Sequence, residues 1–223
     1  MGISYLGHSA FEIDFSSGKK IFIDPFLIAS PDYNPEGVTD IFVTHAHADH
    51  LGSAIEISKK TGATITAIFE LANYCQSKGA KVNGINLGGW INYDWGKVIA
   101  VPAFHSSSTS EGIYGGMPCG FIFEINGGYT LYHAGDTCLN AHMKMIGEVY
   151  EPDVAMLPIG GHYTMDIEHA AIASEWLGAS AIIPMHYNTF DAIKVDTDEF
   201  ERRIREKGKM PFILQIGVKF NQQ

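Results

Sequence analysis

The chain of 223 residues is 46% hydrophobic and 18% charged, which indicates one globular domain over residues 1–223 and excludes a disordered or fibrous protein. Its 15 Lys and Arg against 25 Asp and Glu leave a formal charge of −10, so we expect no nucleic-acid partner, because phosphates are repelled. No stretch approaches the roughly 20 apolar residues of a membrane span, and Met1 to Phe15 lacks an export-signal pattern. We therefore expect a cytoplasmic protein without a membrane partner.

The hydrophobic pattern predicts a β meander at the start of the chain and alternating strands and helices after it. The predicted strands are 3–6, 11–15, 21–23, 41–43, 63–68, 90–93, 98–101, 121–125, 129–132, 154–157, 181–183 and 212–218. The predicted helices are 51–60, 70–78, 140–149, 167–177 and 198–207. This order predicts helices flanking one or two mixed sheets. Between the strands, Ser106 to Met117 is rich in Ser and Gly and is predicted to be a mobile loop beside the functional site.

The segment Thr44 to His50 places three histidines and an aspartate directly after an apolar strand. In extended backbone, residues two apart share a face, so His45 and His47 can converge on one ion. Asp49 and His50 then turn toward a second ion as a helix begins. An expression tag would be terminal and monotonous, so a site for divalent metals of the zinc, manganese, iron or nickel type is the better interpretation. The three cysteines have no C-x-x-C spacing and predict neither disulfides nor a thiolate zinc site.

This segment matches the H-x-H-x-D-H motif at every specified position, and the whole chain resembles the metallo-β-lactamase-fold superfamily. The resemblance implies an α/β fold, a four-layer αββα sandwich of two mixed sheets flanked by helices. It also implies further motif residues, each after an apolar strand, where side chains gather at one rim of the sheets. Their candidates are Asp24 in F-I-D-P, His105 in V-P-A-F-H, Asp136 in H-A-G-D-T and His186 in P-M-H-Y.

The resemblance further implies two metal ions, zinc being the preferred metal, and a hydroxide activated between them as the nucleophile. Asp24 would orient the motif loop through hydrogen bonds, and Asp49 and Asp136 would take part in catalysis. The implied ligands are His45, His47 and His105 for the first metal, Asp49, His50 and His186 for the second, and Asp136 as the bridge. The expected reaction is hydrolysis of an ester, lactone or phosphodiester of a small molecule.

Two other features narrow the group within the superfamily. Asp136 stands where β-lactamases of the B1 type usually carry Cys, which argues against antibiotic hydrolysis. The start Gly7-His8-Ser9-Ala10 and the segment Leu157 to Asp166 resemble small stand-alone prokaryotic metal-dependent hydrolases. These are related to ascorbate-6-phosphate lactonases and N-acyl-phosphatidylethanolamine phospholipases. His8 and His162 would then line the pocket as proton donors or substrate contacts, although for His8 a structural role in a strand turn is an equal alternative.

Several alternatives stay open at this point. A helix start at Thr164 to Asp166 can help to bind an anion, which makes a phosphate-bearing substrate one option. A nuclease uses the same metal core, and an iron-dependent oxidoreductase or sensor uses the same fold. Small proteins of this fold often associate, so a homo-oligomer is also compatible with the sequence.

Overall fold

In the computed structural model, residues 1–221 are described and form two seven-stranded sheets. The strands are β1 (Gly2–Gly7), β2 (Ala10–Asp14), β3 (Lys20–Ile23), β4 (Val38–Phe42), β5 (Thr64–Ile68), β6 (Lys81–Ile85), β7 (Trp90–Tyr93), β8 (Gly96–Pro102), β9 (Cys119–Ile125), β10 (Tyr129–His133), β11 (Val154–Pro158), β12 (Ala181–Met185), β13 (Met210–Pro211) and β14 (Lys219–Asn221). The helices are α1 (Ala48–Leu51), α2 (Ala54–Thr61), α3 (Phe69–Ser77), α4 (His142–Tyr150), α5 (Ile167–Leu177) and α6 (Thr197–Glu206).

The chain divides into two compact units, each built on one sheet. The first unit comprises residues 1–86 and 106–118 and the chain from 214, and the second comprises 87–105 and 119–213. Within residues 1–221, no helix is long and apolar enough to cross a membrane.

The first sheet has the strand order β14-β1-β2-β3-β4-β5-β6. Strands β1 to β3 pair antiparallel as a meander, whereas β3 to β6 pair parallel and therefore need crossover connections. Helices α2 and α3 form the crossovers from β4 to β5 and from β5 to β6 and pack on these strands, whereas residues 24–37 connect β3 to β4 without an α-helix. Because β3 and β4 are parallel and in register at Ile23 and Phe42, Asp24 and the segment from Thr44 emerge at one edge of this sheet.

The second sheet has the strand order β13-β12-β11-β10-β9-β8-β7. Strands β7 to β10 pair antiparallel and β10 to β13 pair parallel, with α4, α5 and α6 as crossovers. Strand β8 is antiparallel to β9, as β10 is, so β8, β10, β11 and β12 all run in one direction. The residues that follow these strands include His105, Asp136 and His186, and they consequently share one edge of this sheet.

Two predicted elements differ from the structure, and one strand of the structure was not predicted. The strand predicted at 212–218 is wrong: β13 ends at Pro211, and a turn with Gly217 at φ 75° precedes β14. Strand β6 was not predicted, since its pattern is largely exposed and contains Gly84. The helix predicted at 51–60 begins instead at Ala54, because Gly52 at φ 44° ends α1 after Leu51.

Gly52 allows the backbone at Pro25 to approach closely, beside the candidate metal-binding motif of residues 45–50. A Cβ there would lie 2.4 Å from the Pro25 carbonyl oxygen, next to the bond that the Ser53 N–H donates to that oxygen. We expect Gly52→Ala to lower the free energy of unfolding by about 2 kcal/mol or more, through both clash and φ strain. Chemical denaturation measures this. Gly62→Ala is the matched control, because Gly62 has φ +79° but no atom within 4 Å of its Cβ position. Equal losses in the two variants would contradict the clash.

The three cysteines differ in accessibility. Cys75 and Cys119 are buried, and Cys138 is exposed. Burial raises the pKa of the Cys75 thiol to about 12, so it stays protonated and unreactive at neutral pH. We expect a thiol reagent to modify one cysteine per native chain, at Cys138, and all three after denaturation. Rapid modification of Cys138→Ser protein under native conditions would contradict this.

Candidate metal centre

Asp24 is the centre of a buried hydrogen-bond network in the first unit. It follows β3 in the left-handed backbone region at φ 45° and has no exposed surface. Its carboxylate accepts the Thr44 N–H at 2.8 Å and the Thr44 hydroxyl at 2.7 Å, and lies 2.7 Å from His50 Nδ1. The network therefore ties the end of β3 to the loop after β4.

These bonds determine which nitrogen of two imidazoles carries the proton. The carboxylate can only accept, so His50 donates from Nδ1, and in the neutral imidazole its Nε2 keeps a lone pair. The Thr44 hydroxyl donates to Asp24, so at its 3.0 Å contact it accepts from His45 Nδ1. His45 Nε2 consequently also keeps a lone pair. Both imidazoles are thus held in the tautomer that a metal ligand needs.

His45 and His47 form a close pair of nitrogen donors. His45 Nε2 lies 3.0 Å from His47 Nδ1. Two nitrogen ligands of one tetrahedral zinc ion lie about 3.3 Å apart, given Zn–N bonds of about 2.05 Å. The other nitrogen of His47, Nε2, is 3.4 Å from the Ser106 hydroxyl. The pair fits a shared divalent ion with only a small shift.

His8 and Asp49 form a second contact in the first unit. His8 Nε2 lies 3.1 Å from Asp49 Oδ2, and ligand atoms of His8, Asp49 and His50 all lie within 4.8 Å of one another. His8 follows β1 at φ 57°, and its carbonyl accepts the Tyr5 hydroxyl at 3.0 Å. Its side chain is buried, whereas that of Asp49 is 29% exposed. His8 is therefore placed to hold Asp49 in position.

In the second unit, one carboxylate oxygen faces two imidazoles. Asp136 Oδ2 lies 3.0 Å from His186 Nε2 and 3.6 Å from His105 Nε2. Asp136 and His186 are buried, and His186 follows β12 at φ 54°. The backbone N–H of Phe104, beside His105, donates to the hydroxyl of Thr137, beside Asp136, at 3.0 Å. This bond keeps the loops after β8 and β10 together.

His162 is set apart from these contacts. It is exposed, its ring stands edge-on to Tyr163 at 4.5 Å, and among residues 1–221 it belongs to no metal-ligand cluster of three or more side chains. A role for His162 stays a prediction.

The segment Ser106 to Met117, which we expected to be mobile, is held to the first unit at several points. The Ser107 hydroxyl accepts the Ala46 N–H at 3.1 Å, inside the metal-binding motif. Farther along, Glu111 accepts bonds from the Tyr74 hydroxyl at 3.0 Å and from Lys78 Nζ at 2.7 Å. Lys78 lowers the pKa of the Glu111 carboxyl, and Glu111 raises that of Lys78. The segment consequently supports the motif loop.

Sequence reasoning assigned no role to Thr44, Ser106 or Ser107. Thr44 directly precedes the first histidine of the motif, and this position was the available signal. Ser107 is 61 residues away from Ala46 and Ser106 is 59 residues away from His47, and hydrophobic periodicity contains no information on such contacts.

The donor set fits first-row divalent metals. Each unit offers imidazole nitrogens beside a carboxylate, a combination that zinc, iron and manganese accept. Buried Asp24 orients two of the imidazoles, as outer hydrogen-bond partners do in metal sites.

Comparison with known proteins identifies the family. Residues 2–186 match the family model of the β-lactamase superfamily domain. The chain belongs to this superfamily. A UPF0173 metal-dependent hydrolase of Methanosarcina barkeri is 45% identical to this chain over 215 residues. The aligned part covers 92% of this chain and 91% of the relative. One from Thermococcus kodakarensis is 46% identical over 222 residues, 96% of each protein.

A solved structure supports the same assignment. Igni18, a metallo hydrolase of the archaeon Ignicoccus hospitalis, is 38% identical, with a TM-score of 0.88 over 100% of this chain and 99% of its own. The predicted fold class, two mixed sheets flanked by helices as in the metallo-β-lactamase sandwich, is thereby confirmed. This member of the β-lactamase superfamily is a metal-dependent hydrolase.

Proposed function

We propose that the chain hydrolyses an ester, lactone or phosphodiester of a small molecule at a dinuclear metal centre. The observation that carries the proposal is the network of Asp24, which leaves lone pairs on Nε2 of both His45 and His50. A buried carboxylate that fixes imidazole tautomers serves metal binding better than packing, because apolar side chains would fill the same space without desolvating a charge.

Family membership and the order of the motifs along the chain support a proposed ligand assignment. His45, His47 and His105 are proposed to hold one metal, Asp49, His50 and His186 the other, and Asp136 to bridge them. Zinc is the preferred metal, with manganese, iron and nickel as alternatives. When bound, two such ions supply Lewis acidity and a nucleophile derived from water at neutral pH.

The residues of the chain position the proposed metal ligands and contact the substrate. His8 holds the Asp49 carboxylate through its Nε2 contact and so fixes the direction of its oxygens. Asp136 Oδ2 keeps the rings of His105 and His186 turned toward one point. Exposed His162 is proposed to contact the substrate or to donate a proton to the leaving group. The proposed compartment is the cytoplasm.

The test uses the full chain purified without added metal. Metal content is measured first, and the protein is then assayed against panels of small esters, lactones and phosphodiesters. We expect hydrolysis that disappears after chelation and returns with zinc or manganese. Hydrolysis that persists in metal-free protein would contradict the proposal. Iron as the sole metal, with oxygen uptake and no hydrolysis, would favour the oxidoreductase alternative.

A further inference from the structure

The first unit contains a cavity of about 510 Å³ beside the metal-binding motif. Its lining includes Phe26, Leu27 and Ile28 from the turn after β3, together with Ala48 of α1 and Ile57 of α2. Small-molecule sites commonly measure about 300–1,000 Å³. The cavity is thus large enough for a short acyl chain or an aromatic ring.

The lining of this cavity is uncharged. Among its described lining residues there is no Asp, Glu, Lys, Arg or His. Tyr33 is neutral at physiological pH, because burial and a hydrogen bond to Glu12 raise its pKa above the ordinary value. Two other cavities of similar size are lined by charged side chains, one along α6 at Arg202 and Glu206, and one at Glu36 and Lys60. The cavity at Ile28 therefore favours an apolar occupant.

The cavity adjoins the metal-binding motif through one residue of that motif. Ala48, part of its wall, stands between His47 and Asp49. Phe26, which also lines the cavity, has its ring edge-on to His8 at 5.6 Å, and His8 contacts Asp49 at 3.1 Å. A ligand that contacts Ala48 and Phe26 would therefore lie beside the part of the chain that carries His47 and Asp49.

The walls are also held in place. The Phe26 N–H donates to the Asp24 carbonyl at 2.7 Å, and the Ser30 hydroxyl donates to the Leu6 carbonyl at 3.0 Å. The ring of Tyr33 packs on Phe22 at 5.0 Å. A preformed wall lowers the ordering penalty on binding, so apolar contact here translates into affinity.

We propose that this cavity binds the apolar part of the substrate, an acyl chain or aromatic ring, while the scissile group lies at the metal centre. The inference rests on the proposed function and narrows its substrate class to molecules with an apolar group next to the hydrolysed bond.

The binding test uses metal-loaded protein and the carboxylates acetate, butyrate, hexanoate and octanoate, measured by calorimetry. We expect affinity to rise with chain length, by up to roughly fourfold for each buried methylene. Ile28 is 56% exposed, so Ile28→Asp should leave the fold intact while placing a charge in the cavity. The variant should bind octanoate little better than acetate. Val149→Asp, at a 65% exposed position on α4, is the matched control and should keep the dependence on chain length.

The catalytic test measures kcat/KM for p-nitrophenyl esters of the same four acids. A rise with chain length that Ile28→Asp removes, mainly through KM, supports the inference. If no ester is cleaved but the carboxylate series keeps its Ile28-dependent slope, the inference stands and ester hydrolysis fails. A flat carboxylate series, or one that Ile28→Asp leaves unchanged, overturns the inference. If affinity does not change with chain length, and the protein is a dimer that Ile28→Asp converts to a monomer, the inference is also overturned. The cavity would then serve self-association.

Discussion

Asp136→Ala is expected to reduce kcat/KM of the metal-loaded protein by more than roughly 100-fold for any substrate that the panels identify. Loss of an outer hydrogen-bond partner of a metal ligand already reduces metal affinity or activity 10–100-fold, and Asp136 is proposed as a ligand itself. Its buried Oδ2 also orients the rings of His105 and His186, so both imidazoles lose their common partner. Steady-state kinetics with parallel metal analysis measures the effect, and we expect less than the wild-type metal content.

The matched control for this substitution is Asp191→Ala. Asp191 lies in the same unit, its side chain is 95% exposed, and it pairs with Lys194 only three residues away. An exposed pair of this kind adds little to stability, so the control should keep full activity and metal content. Wild-type turnover by Asp136→Ala would show that the proposed centre is not the catalyst.

Asp24→Asn is expected to have the largest effect on stability, lowering the free energy of unfolding by about 3–5 kcal/mol. Asparagine tolerates the left-handed backbone at this position, so the change acts on the side chain. Its NH₂ group places donors against the donors of Thr44 and His50, which are buried and cannot turn to water. Chemical denaturation of metal-free protein measures the loss, and titration should show metal affinity reduced by about 10–100-fold.

Asp40→Asn is the control for this second substitution. Asp40 lies on β4 of the same sheet, and its carboxylate accepts a hydrogen bond from neighbouring Thr39 at an exposed position. We expect a change in unfolding free energy of less than about 0.5 kcal/mol. If Asp24→Asn were as stable as Asp40→Asn and bound metal normally, the tautomers of His45 and His50 would not depend on Asp24.

The elements that carry the motif residues could be predicted because their strands are short, apolar and clearly bounded. Val43 and Ile183 are buried residues of such runs. The polar residues that follow, such as Thr44 and His186, therefore lie where the chain leaves the core at a sheet edge. Contacts that join distant segments could not be predicted. One such contact is the hydrogen bond that the Ala46 N–H donates to the Ser107 hydroxyl. Another is the cavity lining that includes Phe26 and Ile28. Each depends on tertiary packing that no local pattern encodes.

The C-terminal strand shows the opposite failure. The pattern of 212–218 is apolar enough to predict a strand, yet the Val218 N–H donates to the Gln215 carbonyl, three residues back, around Gly217. A turn of that kind ends extended pairing whatever the hydrophobicity around it.

The backbone of His8, Asp24 and His186 lies in the left-handed region, at φ 57°, 45° and 54°. For residues with a side chain this conformation costs roughly 1 kcal/mol each, and glycine would avoid it. The backbone conformation therefore costs free energy at each of these three strand ends, and the side chain at each one takes part in the carboxylate–imidazole contacts. Glycine at these positions would relieve the backbone cost but remove the side chains of the site, and at Asp24 it would also take away the acceptor of the buried Thr44 and His50 donors. The backbone cost is therefore borne where the carboxylate–imidazole contacts require a side chain.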